Sequence, residues 1–286
     1  MDYRQVPPSP GLAPFVECFW HLSAEPAPTE PLEAILPDGC MELIVQLLAP
    51  MRRAGVEGAQ PSVFVCGQLT APLLLAPSGP VRTFGVRFRP GGARPFFEGD
   101  LGDLADRDTP LADLWGSLSG EMEDRLRAAR GVRAMVAAAE CLLLSRLSER
   151  RRDGRVESAV RLAMGTRGRA RLEGLAGAAA LSHRQLERRF RAAVGLSPKK
   201  LSRIVRFQRL VRIARRPGPF AWAEAAARCG YFDQAHLIRD VREFSGATPP
   251  GLREGARDFT APFVSEERLA ALFAGAFFQD APPAAR

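Results

Sequence analysis

Arg184, Arg188 and Arg191 recur at i, i+4 and i+7, so a helix through them carries three guanidiniums along one face. Leu186, Phe190 and Ala193 repeat the same spacing displaced by two residues, about 200° round the helix, and line the other side. A guanidinium bonds guanine O6 and N7 in parallel, while neighbouring cations hold phosphates. His183 adds a polar group in the first turn. Taken alone, the helix reads equally well as the solvated charged face of an ordinary surface helix.

A second segment repeats the design. Gln234, Ala235, Arg239 and Arg242 lie opposite Leu237, Val241 and Phe244. Glutamine suits the adenine edge, and the alanine methyl suits the thymine methyl. Among histidine, cysteine, serine and glycine patterns nothing else suggests chemistry: the chain has no HExxH, P-loop, GxSxG or GxGxxG. No catalytic site, metal site or cofactor is therefore expected.

Local signals say how these residues are positioned. Leu172–Ala180 suits a short buried helix. Ser182 with Gln185 forms a capping-box pattern ahead of a helix over His183–Val194, and Gly195 suits its end. Trp222–Arg228 leads through the turn Cys229-Gly230-Tyr231-Phe232 to Asp233, an N-cap for Gln234–Phe244. Between the two units, Ser197-Pro198 opens a helix that continues to about Arg215 and stops at Arg216-Pro217-Gly218-Pro219. At ~1.5 Å per residue this rod is ~27 Å long. With helix widths added, it holds two recognition helices about one DNA turn, ~34 Å, apart. The pattern found twice at this span predicts two helix-turn-helix units reading double-stranded DNA.

Charge agrees. The 286-residue chain has a net charge of +8, distributed unevenly. Residues 150–257 hold 25 Lys or Arg against 9 Asp or Glu, and the remainder 15 against 23. A basic module joined to an acidic one implies one dedicated nucleic-acid surface, not general affinity for polyanions.

These motifs carry a family resemblance. Leu186-Glu187-Arg188-Arg189-Phe190, Gly195-Leu196-Ser197-Pro198, Cys229 through Arg239 and Gly246-Ala247-Thr248-Pro249 resemble the AraC/XylS-type DNA-binding domain over about residues 155–254. The resemblance implies base contacts from Arg184 and Arg188 in the first helix, and from Gln234, Ala235 and Arg239 in the second. The chain departs from the common pattern at Val241, usually Phe, and at Ile238, often small and polar. Ile238 is expected to put apolar surface near the DNA.

The first half reads as short strands over Val16–Leu22, Glu33–Leu36, Met41–Leu48, Ser62–Cys66, Leu73–Ala76 and Val81–Phe88. Pro37-Asp38-Gly39, the stretch 54–60 and Pro77-Ser78-Gly79-Pro80 separate them. Short helical pieces at 95–98 and 110–115 follow, then longer helices over about 117–129 and 131–149. The fold class expected is α+β: a small antiparallel barrel or sandwich with trailing helices, then an all-α domain whose two helix-turn-helix motifs are joined by a linker helix. Domains are expected at 1–150 and 155–257, with 150–154 as a hinge, and a tail over 258–286 whose helix spans Ser265–Phe278.

Leu36 through Ile44, Val86 through Gly92 and Pro110 through Trp115 resemble an AraC-type subgroup with an uncharacterised N-terminal domain. The resemblance implies a sensor or dimerisation role ahead of the reader. Trp20, His21, Glu42, Arg87 and Phe88 are the side chains chosen as candidates to turn inward around a small-molecule effector; each also reads as core, or as a solvated or paired residue. A second copy of the chain is the other partner considered.

Met1–Leu12 lacks a secretory h-region, and the apolar run 134–144 is short and broken by Glu140. Five cysteines without a CxxC pair fit reduced thiols. A cytoplasmic, non-enzymatic regulator is expected. The alternatives are a DNA-targeted enzyme or repair protein with a reactive Cys66 or Cys40, and a regulator whose N-terminal domain only binds proteins.

Overall fold

Period-2 alternation gives the central sheet of the N-terminal half two apolar faces. The computed structural model describes residues 2–25, 33–216 and 218–255. Nine strands run as β1 (Asp2–Val6), β2 (Val16–Ala24), β3 (Glu33–Ile35), β4 (Glu42–Gln46), β5 (Met51–Arg53), β6 (Val63–Cys66), β7 (Leu73–Pro77), β8 (Val81–Phe88) and β9 (Asp108–Pro110). They pair antiparallel in two open sheets, ordered β1-β2-β8-β4-β6-β9 and β3-β7-β5. No closed barrel forms, so of the two expected arrangements the barrel is set aside.

One face of the six-stranded sheet, with Phe19, Leu43, Val45, Phe84, Val86 and Phe88, packs on Phe96, Phe97 and three helices. These helices are α1 (Leu111–Trp115), α2 (Leu118–Ala128) and α3 (Val132–Arg146). The other face, with Trp20, Leu22, Phe64 and Cys66, meets Met51, Leu73 and Leu75 of the three-stranded sheet.

The expected 150–154 hinge is structured. Glu149–Arg151 forms a 3₁₀ turn, and the Asp153 carboxylate accepts from the Val156 amide to cap α4 (Gly154–Gly165). Then come α5 (Leu172–Ala179), α6 (His183–Val194), α7 (Pro198–Ala214), α8 (Trp222–Cys229), α9 (Gln234–Ser245) and α10 (Pro249–Gly255). Their apolar faces share one core, with Phe190, Phe207 and Phe244 fully buried. Leu36, from the N-terminal half, also packs on it. The helix expected over Ser265–Phe278 lies outside the described residues.

Candidate DNA interface and sensor cavity

Caps fix where α6 and α9 begin. The Ser182 hydroxyl accepts from the Gln185 amide while the Gln185 side chain accepts from the Ser182 amide. In α9 the Asp233 carboxylate accepts from the His236 amide at 2.6 Å. Leu186, Phe190, Ala193 and Val194 bury one side of α6, leaving His183, Arg184, Arg188 and Arg191 exposed on the other. Leu237, Asp240, Val241 and Phe244 bury one side of α9, leaving Gln234, Ala235, Arg239 and Arg242 exposed. All eight residues singled out in the sequence therefore face away from the helical core.

Their surroundings differ. Arg184, Arg188, Arg239 and Arg242 make no ion pair among the described residues. Arg191 instead reaches the N-terminal half, 3.2 Å from Asp103 and 3.8 Å from Asp100, its stem lying against Gly102. Ile238 is half-buried and packs on the helical core, so it does not offer the DNA the bare apolar surface anticipated.

Two anchoring features escaped the sequence reading. Asp240, fully buried, accepts from Arg203 of α7 at 3.0 and 2.7 Å, tying the second reader to the rod. Residues 237, 240, 241 and 244 follow i, i+3, i+4, i+7, so position 240 on the buried face was the available signal. The second feature is a basic cluster: burial, with Arg167, Arg169 and Arg212 nearby, pulls the Arg209 pKa below its ordinary value. Such crowding of like charges favours a polyanion beside it.

A cavity of about 80 Å³ lies between the two sheets of the N-terminal half. Trp20, Glu42 and Arg87 line it. His21 and Phe88, the other two candidates, do not: each follows a cavity residue in its strand and points to the opposite face. The Trp20 ring occupies the space over Gly85, where a Cβ would stand 2.0 Å from its Cε2.

Arg87 anchors the polar end. Its Nε donates to Glu17 at 3.1 Å, Nη1 donates to Glu42 and Nη2 to Asp38. Burial pulls the Arg87 pKa down, but Asp38, Cys40, Glu42 and Glu17 more than reverse this and hold it charged. Asp38 belongs to a turn that also touches the reader. Gln68 Nε2 donates to the Gly39 carbonyl at 2.9 Å, and Gln208 Nε2 of α7 donates to the Pro37 carbonyl at 2.6 Å. Gly39 has φ +83°, and a Cβ there would meet Leu201 Cδ1 of α7 at 2.7 Å.

Cys66 also lines the cavity, with its thiol pKa pushed up by burial and by Asp108 and Glu42. A thiol held protonated is a poor nucleophile, which disfavours the reactive-cysteine alternative for Cys66. No group of three metal-ligating side chains and no helix long and apolar enough to cross a membrane occurs among the described residues.

Two capped helices, each buried on one side and polar on the other, define a DNA-binding transcriptional regulator with tandem helix-turn-helix units. The chain carries an AraC-type helix-turn-helix domain: residues 175–255 match the family described as "Helix-turn-helix domain". Residues 4–110 match "Domain of unknown function (DUF6597)". No curated protein matches the chain. Among solved structures it is similar to ToxT from Vibrio cholerae in its P21 form, at TM-score 0.44 and 9% identity over 82% of this chain and 98% of that one. ToxT bound to (E)-4-(8-methylnaphthalen-1-yl)but-3-enoic acid gives TM-score 0.44 and 10% identity over 83% and 99%. Unsaturated fatty acid bound ToxT gives 0.38 and 11% over 82% and 94%.

Proposed function

We propose that the chain is a sequence-specific regulator that reads two successive major grooves with α6 and α9, under control of a signal received in the N-terminal cavity. The observation that carries the first part is the pair of outward polar faces on helices joined by α7. Its 17 residues make a rod of ~26 Å, which with helix widths suits one DNA turn, ~34 Å. Arg184, Arg188, Gln234, Ala235 and Arg239 discriminate bases, while Arg242, His183 and the cluster around Arg209 hold phosphate. Sensor and reader divide at 150–154 in this reading.

Control of the reader rests on the turn 37–39. One of its side chains, Asp38, sits on Arg87 in the cavity, and its backbone sits on α7. A ligand that moves Asp38 thereby acts on the rod that spaces the two recognition helices.

Selection of genomic fragments by the full chain at near-physiological salt tests the reading. Enriched sites with two short elements about one helical turn apart support it. Binding without preference would leave a general DNA binder and overturn it.

A further inference from the structure

We propose that Phe232 is a specificity-determining residue of the second helix-turn-helix unit, its ring packing on the C5-methyl of a thymine in the major groove. The assignment rests on the reading above that α9 lies in such a groove.

The turns of the two units are built alike but for one residue. In the first, the Ala180 amide donates to the Gly177 carbonyl at 3.0 Å and the Leu181 amide to that of Ala176 at 3.1 Å. In the second, the Gly230 amide donates to the Ala227 carbonyl at 3.1 Å and the Tyr231 amide to that of Ala226 at 3.0 Å. Leu181 and Tyr231 are therefore equivalent, each folding the chain back on the helix it leaves. From Leu181 the chain passes directly to the cap Ser182. From Tyr231 it passes through Phe232 before it reaches the cap Asp233. Phe232 is the added residue, with no counterpart in the first unit.

The added residue does not pack. Phe232 is 94% exposed, more than any other large apolar side chain among the described residues. Its neighbours hold it there. Tyr231 is buried with its ring 5.2 Å from that of His236, and the Asp233 carboxylate caps α9. The ring is thus presented from a backbone fixed on both sides, and it keeps in water an area whose burial against a partner is favourable.

Position identifies that partner. The first turn of a recognition helix is where base edges are met, and here it carries Gln234 and Ala235, both exposed. Arg169 and Arg206 flank the turn. A Cβ at Gly230 would stand 2.8 Å from Arg169 Cγ, and the Arg206 guanidinium lies 5.8 Å from the centre of the Tyr231 ring. DNA supplies phosphates for such cations beside a groove floor. Among the four bases, the apolar group on that floor is the thymine methyl.

Operator duplexes in which each thymine of the second element is replaced in turn by deoxyuridine test the assignment, since only a methyl is removed. One replacement should weaken binding by the full chain about fourfold, the worth of one buried methyl. Phe232→Ala should lose at least as much on the intact operator, lose far less on a random duplex, and be indifferent to that same replacement. Phe232→Leu, still apolar, should keep the dependence on the methyl. The Tm of Phe232→Ala should match that of the parent chain, because the ring is exposed. Equal losses on operator and random duplex would assign the ring to the sugar-phosphate backbone and overturn the proposal. Unchanged operator affinity in Phe232→Ala would also overturn it, leaving the ring to a protein partner, as would a lowered Tm or a methyl effect that persists in the variant. If the parent chain prefers no site, the reading of α9 falls and this assignment with it. If the preference holds and no thymine couples to Phe232, this assignment alone falls.

Discussion

Gln208 of α7 donates its side-chain amide to the carbonyl of Pro37, 2.6 Å away, joining the reader's rod to a turn of the N-terminal half. Both residues are shielded: Gln208 is 4% exposed, and Pro37 adjoins Leu36, which packs on the helical core. The neighbouring Asp38 is held by Arg87. Two residues in succession thus face two different parts of the chain.

Gln208→Leu should separate the rod from the turn. The lost hydrogen bond costs about 1 kcal/mol, the low end of the range, because Gln208 Oε1 has no partner among the described residues and its removal relieves a buried orphan. Urea unfolding reads the stability, and operator affinity with and without a cavity ligand reads the coupling. Affinity that still responds fully to the ligand would place the coupling elsewhere.

The arginines of α6 should divide by role. Arg184→Ala is expected to cost about 1–3 kcal/mol on the preferred site and far less on random DNA, as is Gln234→Ala in α9. Arg191→Ala should cost less on either DNA, because Arg191 is engaged by Asp103 and Asp100. Titrations of the three variants against operator and random duplexes check this. Equal losses on both DNAs from Arg184→Ala would show phosphate contact in place of base reading.

The two helix-turn-helix units end their first helices alike, in the left-handed region, but with different residues. Gly230 closes α8 at φ +83°, whereas Ala180 closes α5 at φ +49°. A side chain in that region is strained by about 1–2 kcal/mol, partly offset by the greater freedom glycine brings to the unfolded chain. Ala180→Gly should therefore stabilise the protein by up to about 1 kcal/mol. A lower urea midpoint in the variant would contradict this.

Acidification should weaken the fold through its histidines. Burial lowers the His21 pKa, opposed by Asp2 and assisted by Arg82 and Arg4. Burial also lowers that of His236, helped by Arg206 and Arg239 against Asp240. A folded pKa below the unfolded 6.5 means stability present above that pH and lost as pH falls through the folded value. Glu243 adds a separate loss, since Arg203 and Lys200 outweigh burial and lower its pKa, but this begins only below 4.5. Between pH 7.5 and 5.5 the decline belongs to the histidines. Replacing both with glutamine should flatten the stability profile there; an unchanged slope would reject the assignment.

Much of the reader was legible because its helices carry strong local signals. Capping residues and a 3.6-residue apolar period placed α6 at His183–Val194 and α9 within a residue of its end. The sheets were less so. β5 and β9 have three residues each, too few to show alternation. β1 exposes most of its side chains and offers little apolar signal. α4 escaped because Arg150-Arg151-Arg152-Asp153-Gly154 reads as a linker, although its Asp153 is the cap that starts the helix.

The cavity was half legible for a simple reason. Adjacent strand residues point to opposite faces, so Trp20 and His21 could not both turn inward, nor Arg87 and Phe88. Glu17 gave no local signal, because it meets Arg87 only through strand pairing 70 residues apart in sequence. Asp38 was legible as a turn residue; its second task, holding Arg87, depends on tertiary structure.

The Trp20 ring rests where a side chain at position 85 would stand, so the depth of the pocket depends on a methyl group the chain lacks. Alanine at 85 would push the indole toward the three-stranded sheet and narrow the space without altering a charge. The room in the pocket and the charged groups at its end are thus set at separate positions, 85 for one and 38, 42 and 87 for the other. A single substitution at 85 would therefore resize this space while leaving its charged end and the outward faces of α6 and α9 untouched.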